Sequence, residues 1–162
     1  MAQDLICNVG IVIGILKKFG NINFLSFSSD FKQRLIAQKT AYFLKLFGIP
    51  IEYSFSWYLH GPYSPNLTRD IYEQLSNIEK IPEIDFVNED FDKCFKDCLA
   101  FLGPKKNDAR WLEMAASIDF LKRVFPKESD EEIMKRLEAK PLEVLKEEFY
   151  DVLNKLTRVN AK

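Results

Sequence analysis

The side chains in this sequence that are best suited to chemistry occur between residues 31 and 75. They are Gln38, Lys39, Tyr58, His60, Tyr63, Ser64, Arg69 and Asp70. His60 is the only histidine of the chain, and imidazole is the side chain that ordinarily gains and loses a proton near neutral pH. The favoured interpretation of His60 is a structural histidine that makes a hydrogen bond. The alternative is acid–base chemistry at His60, with Lys39 or Arg69 holding an anion.

Gln38 and Lys39 are unusual because they face the apolar side of a predicted helix. With about 100° of rotation per residue, Lys39 lies about 40° from both Leu35 and Phe43. A buried amine is costly unless it has a partner. Lys39 is therefore expected either to extend its amine to the edge of the core or to meet a carboxylate in a site.

These residues must be positioned by a helix, a strand and a second helix. Apolar residues at helical spacing predict a helix over about 30–47. Alternating large apolar and polar side chains predict a strand over 51–60 that ends at Gly61-Pro62. A single strand cannot satisfy its own backbone, so residues 24–27 or 84–87 are expected to pair with it. Ser64 is predicted to cap a third helix, which begins at Pro65 and extends to about residue 78.

The remainder of the chain is also predicted to be helical, over about 3–18, 89–102 and 109–125, in a short helix to 139, and from Pro141 onwards. Ser129 and Glu132 have the spacing of a capping box. Glu113 and Ser117 are expected on a helix surface. The predicted fold class is mainly α: a single compact helical domain over residues 1–162, with about six helices and a small β element near residues 51–60.

Composition and charge narrow the functional classes. The formal net charge is −1, whereas non-specific nucleic-acid binding usually requires a strongly basic protein. Nucleic-acid binding is therefore not favoured and would need a local basic patch. One histidine and three cysteines without CxxC spacing predict no metal site, and no cofactor motif is present. The apolar run 6–16 is shorter than the ~20 residues of a spanning helix, so we expect no membrane attachment and a cytoplasmic protein.

Several motifs resemble a known family. The runs are Arg34-Leu35-Ile36-Ala37-Gln38-Lys39, Tyr42-Phe43-Leu44 and Tyr58-Leu59-His60-Gly61-Pro62-Tyr63-Ser64, followed by Leu67, Asp70 and Leu75. They are similar to the YwgA-type family of small bacterial and archaeal proteins, and Trp111-Leu112-Glu113-Met114-Ala115-Ala116-Ser117-Ile118 with Lys140-Pro141 resembles its second half. His60 departs from the family pattern, which has Tyr before Gly-Pro. A more distant resemblance is to the Panacea domain of SocA-like antitoxins.

The resemblance implies a helical fold with a small strand element. For the more distant relatives it also implies control of a partner protein such as a toxin. It implies no enzyme activity. We therefore expect a regulatory or interaction protein, antitoxin-like in its mode of action, rather than an enzyme.

Three functional hypotheses remain open. In the first, the surface formed by residues 58–72 binds a protein partner, with Tyr58, Tyr63 and Arg69 as anchors. In the second, the protein is a winged-helix-like nucleic-acid regulator that contacts phosphates through Lys17, Lys18, Lys32, Arg34, Lys105, Lys106 and Arg110. In the third, it is an enzyme that uses His60. Association of the chain with itself is compatible with all three.

Overall fold

Seven α-helices and one β-hairpin make up the described part of the chain, residues 8–160 of a computed structural model. The helices are α1 (Val9–Phe19), α2 (Phe31–Leu46), α3 (Pro65–Gln74), α4 (Glu89–Leu102), α5 (Ala109–Val124), α6 (Asp130–Glu138) and α7 (Lys146–Asn160). The strands are β1 (Ser56–Tyr58) and β2 (Gly61–Tyr63), and 3-10 helices cover Phe24–Ser26, Leu75–Lys80 and Gly103–Asn107. With 68% of the protein helical, the predicted mainly α class is confirmed, although about six helices were expected.

Helix α5 is the central element of the core. It packs against α2, α6, α7 and β2. Its residues from Trp111 to Asp119 are buried without interruption, so polar as well as apolar side chains of this helix point into the protein. The expected placement of Glu113 and Ser117 on the surface of this helix is therefore wrong.

Side-chain caps define several helix starts at the predicted residues. Asp30 caps α2 and Ser64 caps α3, whose first residue is Pro65. Ser129 and Glu132 form the predicted capping box of α6. Each cap accepts a hydrogen bond from a backbone N–H that has no partner inside the helix, which is why these starts can be recognised from sequence.

The β element differs from its prediction. The regular strand covers only residues 56–58, and its antiparallel partner is residues 61–63, with Tyr58 opposite Gly61 and Ser56 opposite Tyr63. Gly61-Pro62 therefore belongs to the second strand and does not end the sheet. Neither predicted partner pairs with β1, because residues 24–26 form a 3-10 helix and residues 84–87 are irregular. The predicted alternation of burial does hold from Ile51 to Phe55.

Three helix ends also differ from the expected ones. Helix α1 begins after Asn8, whose side chain accepts a hydrogen bond from the Ile11 N–H; the predicted start at residue 3 lies outside the described residues. Helix α3 ends at Gln74 and continues as a 3-10 helix to Lys80. Helix α7 begins at Lys146 rather than Pro141. The Glu143 carbonyl accepts a hydrogen bond from Arg110, so a tertiary contact holds the preceding segment in an irregular conformation.

Candidate functional site

A cleft of about 240 Å³ opens between the start of α2 and the β-hairpin. We call it the hairpin cleft. Its lining residues are Phe31, Arg34, Leu35, Gln38, Lys39, Tyr58, Leu59, His60 and Tyr63. Helix α2 supplies the first five and the hairpin supplies the last four, so residues distant in sequence come together only through the packing of the hairpin on the helix.

Large apolar side chains remain exposed at the edge of the hairpin cleft. The exposed fractions are 47% for Phe31, 47% for Tyr58 and 64% for Leu59. Two of these rings are held by neighbouring aromatic groups: Tyr58 packs edge-on against Tyr63 with centroids 5.4 Å apart, and Phe31 lies 4.9 Å from the His60 ring. Exposed apolar side chains gathered around one concavity are typical of a binding site.

The ionisable side chains that line the hairpin cleft are basic or neutral. Arg34, Lys39 and His60 are among them, and no carboxylate of the described residues lines it. Arg34 donates to the carbonyls of Phe27 and Ser28, at 2.8 and 3.0 Å, so its guanidinium is held in place. The cleft therefore complements a ligand that is apolar and negatively charged.

Lys39 is almost completely buried, with 1% of it exposed. Its Nζ donates a hydrogen bond of 2.6 Å to the Pro62 carbonyl in β2. Burial lowers the pKa of Lys39 from 10.5 to about 7; the charge of Glu113 opposes this shift, and the charge of Lys140 adds to it. Of the two expected outcomes, the amine at the edge of the core is wrong, since it lies inside the protein and interacts with a buried carboxylate.

Glu113 provides that carboxylate from the middle of α5. Its Oε1 lies 3.1 Å from Nδ1 of His60, and its Oε2 lies 3.7 Å from Nζ of Lys140. Lys140 in turn donates to the Leu59 carbonyl and lies over the Trp57 ring, 4.9 Å from its centroid. The negative charge of Glu113 thus offsets the positive charges of Lys39 and Lys140, which would otherwise be costly to bury.

Lys39, Glu113 and Lys140 together form what we call the hairpin clamp. They come from α2, α5 and the segment after α6, and they contact Pro62, His60 and Leu59 respectively. The contacts of Glu113 and Lys140 involve ionisable groups, and hydrogen bonds to charged groups are stronger than those between neutral groups. The clamp therefore holds the hairpin turn, and with it the hairpin side of the cleft, in one position.

The hairpin also approaches α5 closely at Gly61. A Cβ at this position would lie 2.3 Å from Oγ of Ser117 and 3.6 Å from Nζ of Lys39, and the φ angle of Gly61 is +88°. Both the backbone conformation and the available space therefore favour glycine here. Ser117 is fully buried, and its hydroxyl has no hydrogen-bond partner among the described residues.

Gln38 joins α2 to the beginning of α3. Its amide donates to the Ser64 carbonyl and to the Thr68 hydroxyl, at 2.8 and 2.7 Å, and its oxygen accepts from the Ser64 N–H at 2.9 Å. Because Gln38 satisfies the backbone of Ser64 in both directions, it fixes where β2 ends and α3 begins. Gln38 and Ser64 thus support the cleft from behind.

The structure brings together some of the residues predicted for the site but not others. Gln38, Lys39, Tyr58, His60 and Tyr63 line the hairpin cleft, and Ser64 lies directly behind it. Arg69 and Asp70 lie apart from it and pair with each other at 3.2 Å, while Asp70 also accepts a hydrogen bond from the Tyr53 hydroxyl.

Two members of the hairpin clamp, Glu113 and Lys140, were not predicted as site residues. The sequence contained one signal that Glu113 could be a site residue: it is a carboxylate within a run of α5 that otherwise consists of apolar and small residues. The position of Lys140 after a short helix carried no comparable signal. Its role depends on the hairpin, which is distant in sequence.

Most of the basic residues expected to contact nucleic-acid phosphates make contacts within the protein. Lys17 donates to backbone carbonyls at Ile78 and Ile81, Lys106 donates to that of Phe19, and Arg110 pairs with Glu148 at 2.5 Å. Their charges are thus already used in holding helices and loops together. No group of three potential metal ligands occurs in residues 8–160, and no helix in that range is long and apolar enough to cross a membrane.

In comparisons with known proteins, the chain matches no protein-family model, no curated protein and no solved structure. The resemblance to the YwgA-type family and to Panacea domains therefore stays an untested prediction.

Proposed function

We propose that this protein is a regulatory interaction module that binds a segment of a partner protein in the hairpin cleft. The observation that carries the proposal is the exposure of Phe31, Tyr58 and Leu59 around a single concavity. Aromatic anchors of this kind contribute much of the binding energy in protein interfaces. An exposed apolar edge costs free energy in the isolated protein, and a partner that covers it recovers that energy.

The charge of the cleft specifies the chemistry of the bound segment. Arg34, Lys39 and His60 line the cleft, no carboxylate of the described residues lines it, and Glu113 contacts His60 from the α5 side. A segment with one or two apolar anchors next to an aspartate, a glutamate or a free C-terminal carboxylate would match both features. A toxin protein under the control of this chain is the partner that the resemblance to antitoxin domains suggests.

The hairpin clamp supports this proposal because it makes the cleft rigid. A binding surface that is already ordered loses less conformational entropy when the partner arrives. Contacts from Lys39, Glu113 and Lys140 hold Pro62 and the turn at Leu59 and His60. The clamp is thus a reason why exposed residues at the tip of a two-stranded hairpin can form a defined surface.

Selection from a displayed library of random dodecapeptides, with the full chain immobilised, tests the proposal. We expect enriched peptides to combine an aromatic or aliphatic residue with a nearby carboxylate. The affinity for a synthetic version of an enriched peptide should fall at least about tenfold in Tyr58→Ala and in Leu59→Ser, as for anchor residues of an interface. The control is Val87→Ser, because Val87 is 95% exposed and lies outside the cleft.

A variant at Arg69 distinguishes binding in the hairpin cleft from binding over the wider surface formed by residues 58–72. Because Arg69 does not line the cleft, Arg69→Ala should bind the selected peptide as tightly as the unaltered chain. If Tyr58→Ala binds with unchanged affinity, or if the enriched peptides share no acidic residue, the hairpin cleft is not the binding site proposed here.

A second candidate function is acid–base catalysis in the same cleft, and the contact between His60 and Glu113 favours it. A carboxylate 3.1 Å from Nδ1 fixes the orientation of an imidazole and leaves Nε2 for proton transfer. The test is a panel of ester, phosphoester and glycoside substrates with the unaltered chain and His60→Gln. Catalysis requires turnover that His60→Gln abolishes; equal rates in the two proteins would refute it.

A further inference from the structure

A second cleft, of about 390 Å³, lies between α7 and the 3-10 helix at Gly103–Asn107. We call it the α7 cleft. Among its lining residues are Lys105, Trp111, Asp151, Lys155 and Arg158. It shares no lining residue with the hairpin cleft, so an inference about it does not depend on the function proposed above.

Lys155 lines this cleft with a partly buried amine. Its Nζ donates to the Phe101 carbonyl at 3.0 Å and lies 5.2 Å from the centre of the Trp111 ring. An ammonium group has three donors, so one hydrogen bond to the protein leaves two for another partner. The aromatic face attracts the cation but cannot accept those two hydrogen bonds as an anion would.

Two cations of the α7 cleft, Lys155 and Arg158, lack the carboxylate partners that other cations of this protein have. Lys122, for example, pairs with Asp130 at 3.2 Å. Asp151 precedes Lys155 by four residues on α7, the spacing and order that favour an ion pair on a helix. The two do not form one, and neither Lys155 nor Arg158 pairs with any carboxylate of the described residues.

Lys105 adds a third positive charge. It approaches Asp108 only at 3.9 Å, and it is close enough to Lys155 to affect its titration. The pKa of Lys155 is lowered by burial, and the charge of Lys105 lowers it further. Two cations that repel each other in a partly desolvated cleft are stabilised when an anion binds between them.

We propose that the α7 cleft is a binding site for a multiply charged oxyanion of the phosphate class. The three cations favour an anion with more than one charge over a single carboxylate. A cleft of about 390 Å³ has room for a diphosphate or for a phosphate group attached to a larger molecule. Lys155 and Arg158, one helical turn apart on α7, contact the anion from one side, and Lys105 contacts it from the other.

Isothermal titration of the full chain with inorganic pyrophosphate, at constant ionic strength, tests this site. We expect saturable binding to one site per chain. Lys155→Met should weaken binding about tenfold or more, because a charge-assisted hydrogen bond is lost. Lys127→Met should leave it unchanged, since Lys127 is exposed and lies outside the cleft.

Asp151→Asn distinguishes anion binding by the α7 cleft from a purely structural role of Lys155. Asp151 is exposed, so the variant should fold, and removal of its negative charge from the edge of the cleft should tighten pyrophosphate binding. No saturable heat with the unaltered chain, or equal affinities for the unaltered chain and a folded Lys155→Met, overturns the proposal. If binding is found, titration with a nucleoside diphosphate and with a phosphoserine peptide identifies which source of phosphate fits better.

Discussion

The buried amine of Lys39 leads to a prediction about how stability depends on pH. Burial lowers its pKa from 10.5 to about 7. Between these two values the unfolded chain binds the proton more tightly than the folded protein does. The free energy of unfolding must therefore rise with pH across this range, and the stabilisation is lost again as the pH falls from 10.5 towards 7.

The size of the effect follows from the two pKa values. For a single group with these values, linkage predicts that the free energy of unfolding increases by about 2 kcal/mol from about pH 7 to about pH 9. Lys39→Met keeps the length of the side chain and removes the titrating group. It also removes the donor to the Pro62 carbonyl, so the two proteins are compared by how their free energies of unfolding change with pH and not by the absolute values.

Urea denaturation at several pH values between about 7 and 9 measures how the free energy of unfolding changes with pH. The proteins compared are the unaltered chain, Lys39→Met and the exposed-lysine control Lys127→Met. Burial raises the pKa of Cys98, which contributes an opposite slope at alkaline pH, but this contribution is common to all three proteins. The difference in the free energy of unfolding between the unaltered chain and Lys39→Met should change by about 2 kcal/mol over this pH range. Parallel pH profiles for these two proteins would refute the reasoning, because they would mean that Lys39 keeps an ordinary pKa in the folded protein.

Three other variants test the packing of the hairpin and the core. Gly61→Ala should destabilise the protein by about 1–3 kcal/mol more than Gly20→Ala in thermal melts, since both have positive φ but only the first new Cβ meets Ser117; equal losses would contradict the close approach of the hairpin to α5. Gln38→Leu should cost about 2–4 kcal/mol, because the Ser64 backbone loses both hydrogen bonds; a loss no larger than that of Asn66→Leu, at an exposed residue of α3, would argue against this role. Ile71→Ala should cost about 2–5 kcal/mol, because Ile71 is 1% exposed, and an unshifted melting temperature would show that α3 does not bury this face.

The helices could be predicted because their signals are local. Ser64 and Pro65 begin α3, and Ser129 with Glu132 begins α6, through hydrogen bonds between residues at most three positions apart. The helix α4 has the predicted bounds 89–102. The start of α7 was missed because Arg110, which precedes it by more than thirty residues, binds the Glu143 carbonyl. No pattern within residues 141–145 contains that information.

The candidate site could be predicted only in part, for the same reason. Gln38 and Lys39 stood out as polar residues on an apolar helix face, and His60 and Tyr63 stood out beside a Gly-Pro turn. Glu113 was assigned to a helix surface because a carboxylate is seldom buried. Here its burial is made acceptable by Lys140 and His60, and both are far from it in sequence.

The sequence by itself determined the helical class, most helix ends and the segment that contains the cleft, since caps, glycines and apolar spacing act over a few residues. Tertiary structure alone decided the packing of the hairpin against α2 and α5 and the burial of Lys39, Glu113 and Lys140. Buried charges are tolerated only when partners from other elements lie within a few ångströms. That condition depends on how α2, α5 and the hairpin pack, so the hairpin clamp and the cleft exist only in the folded protein.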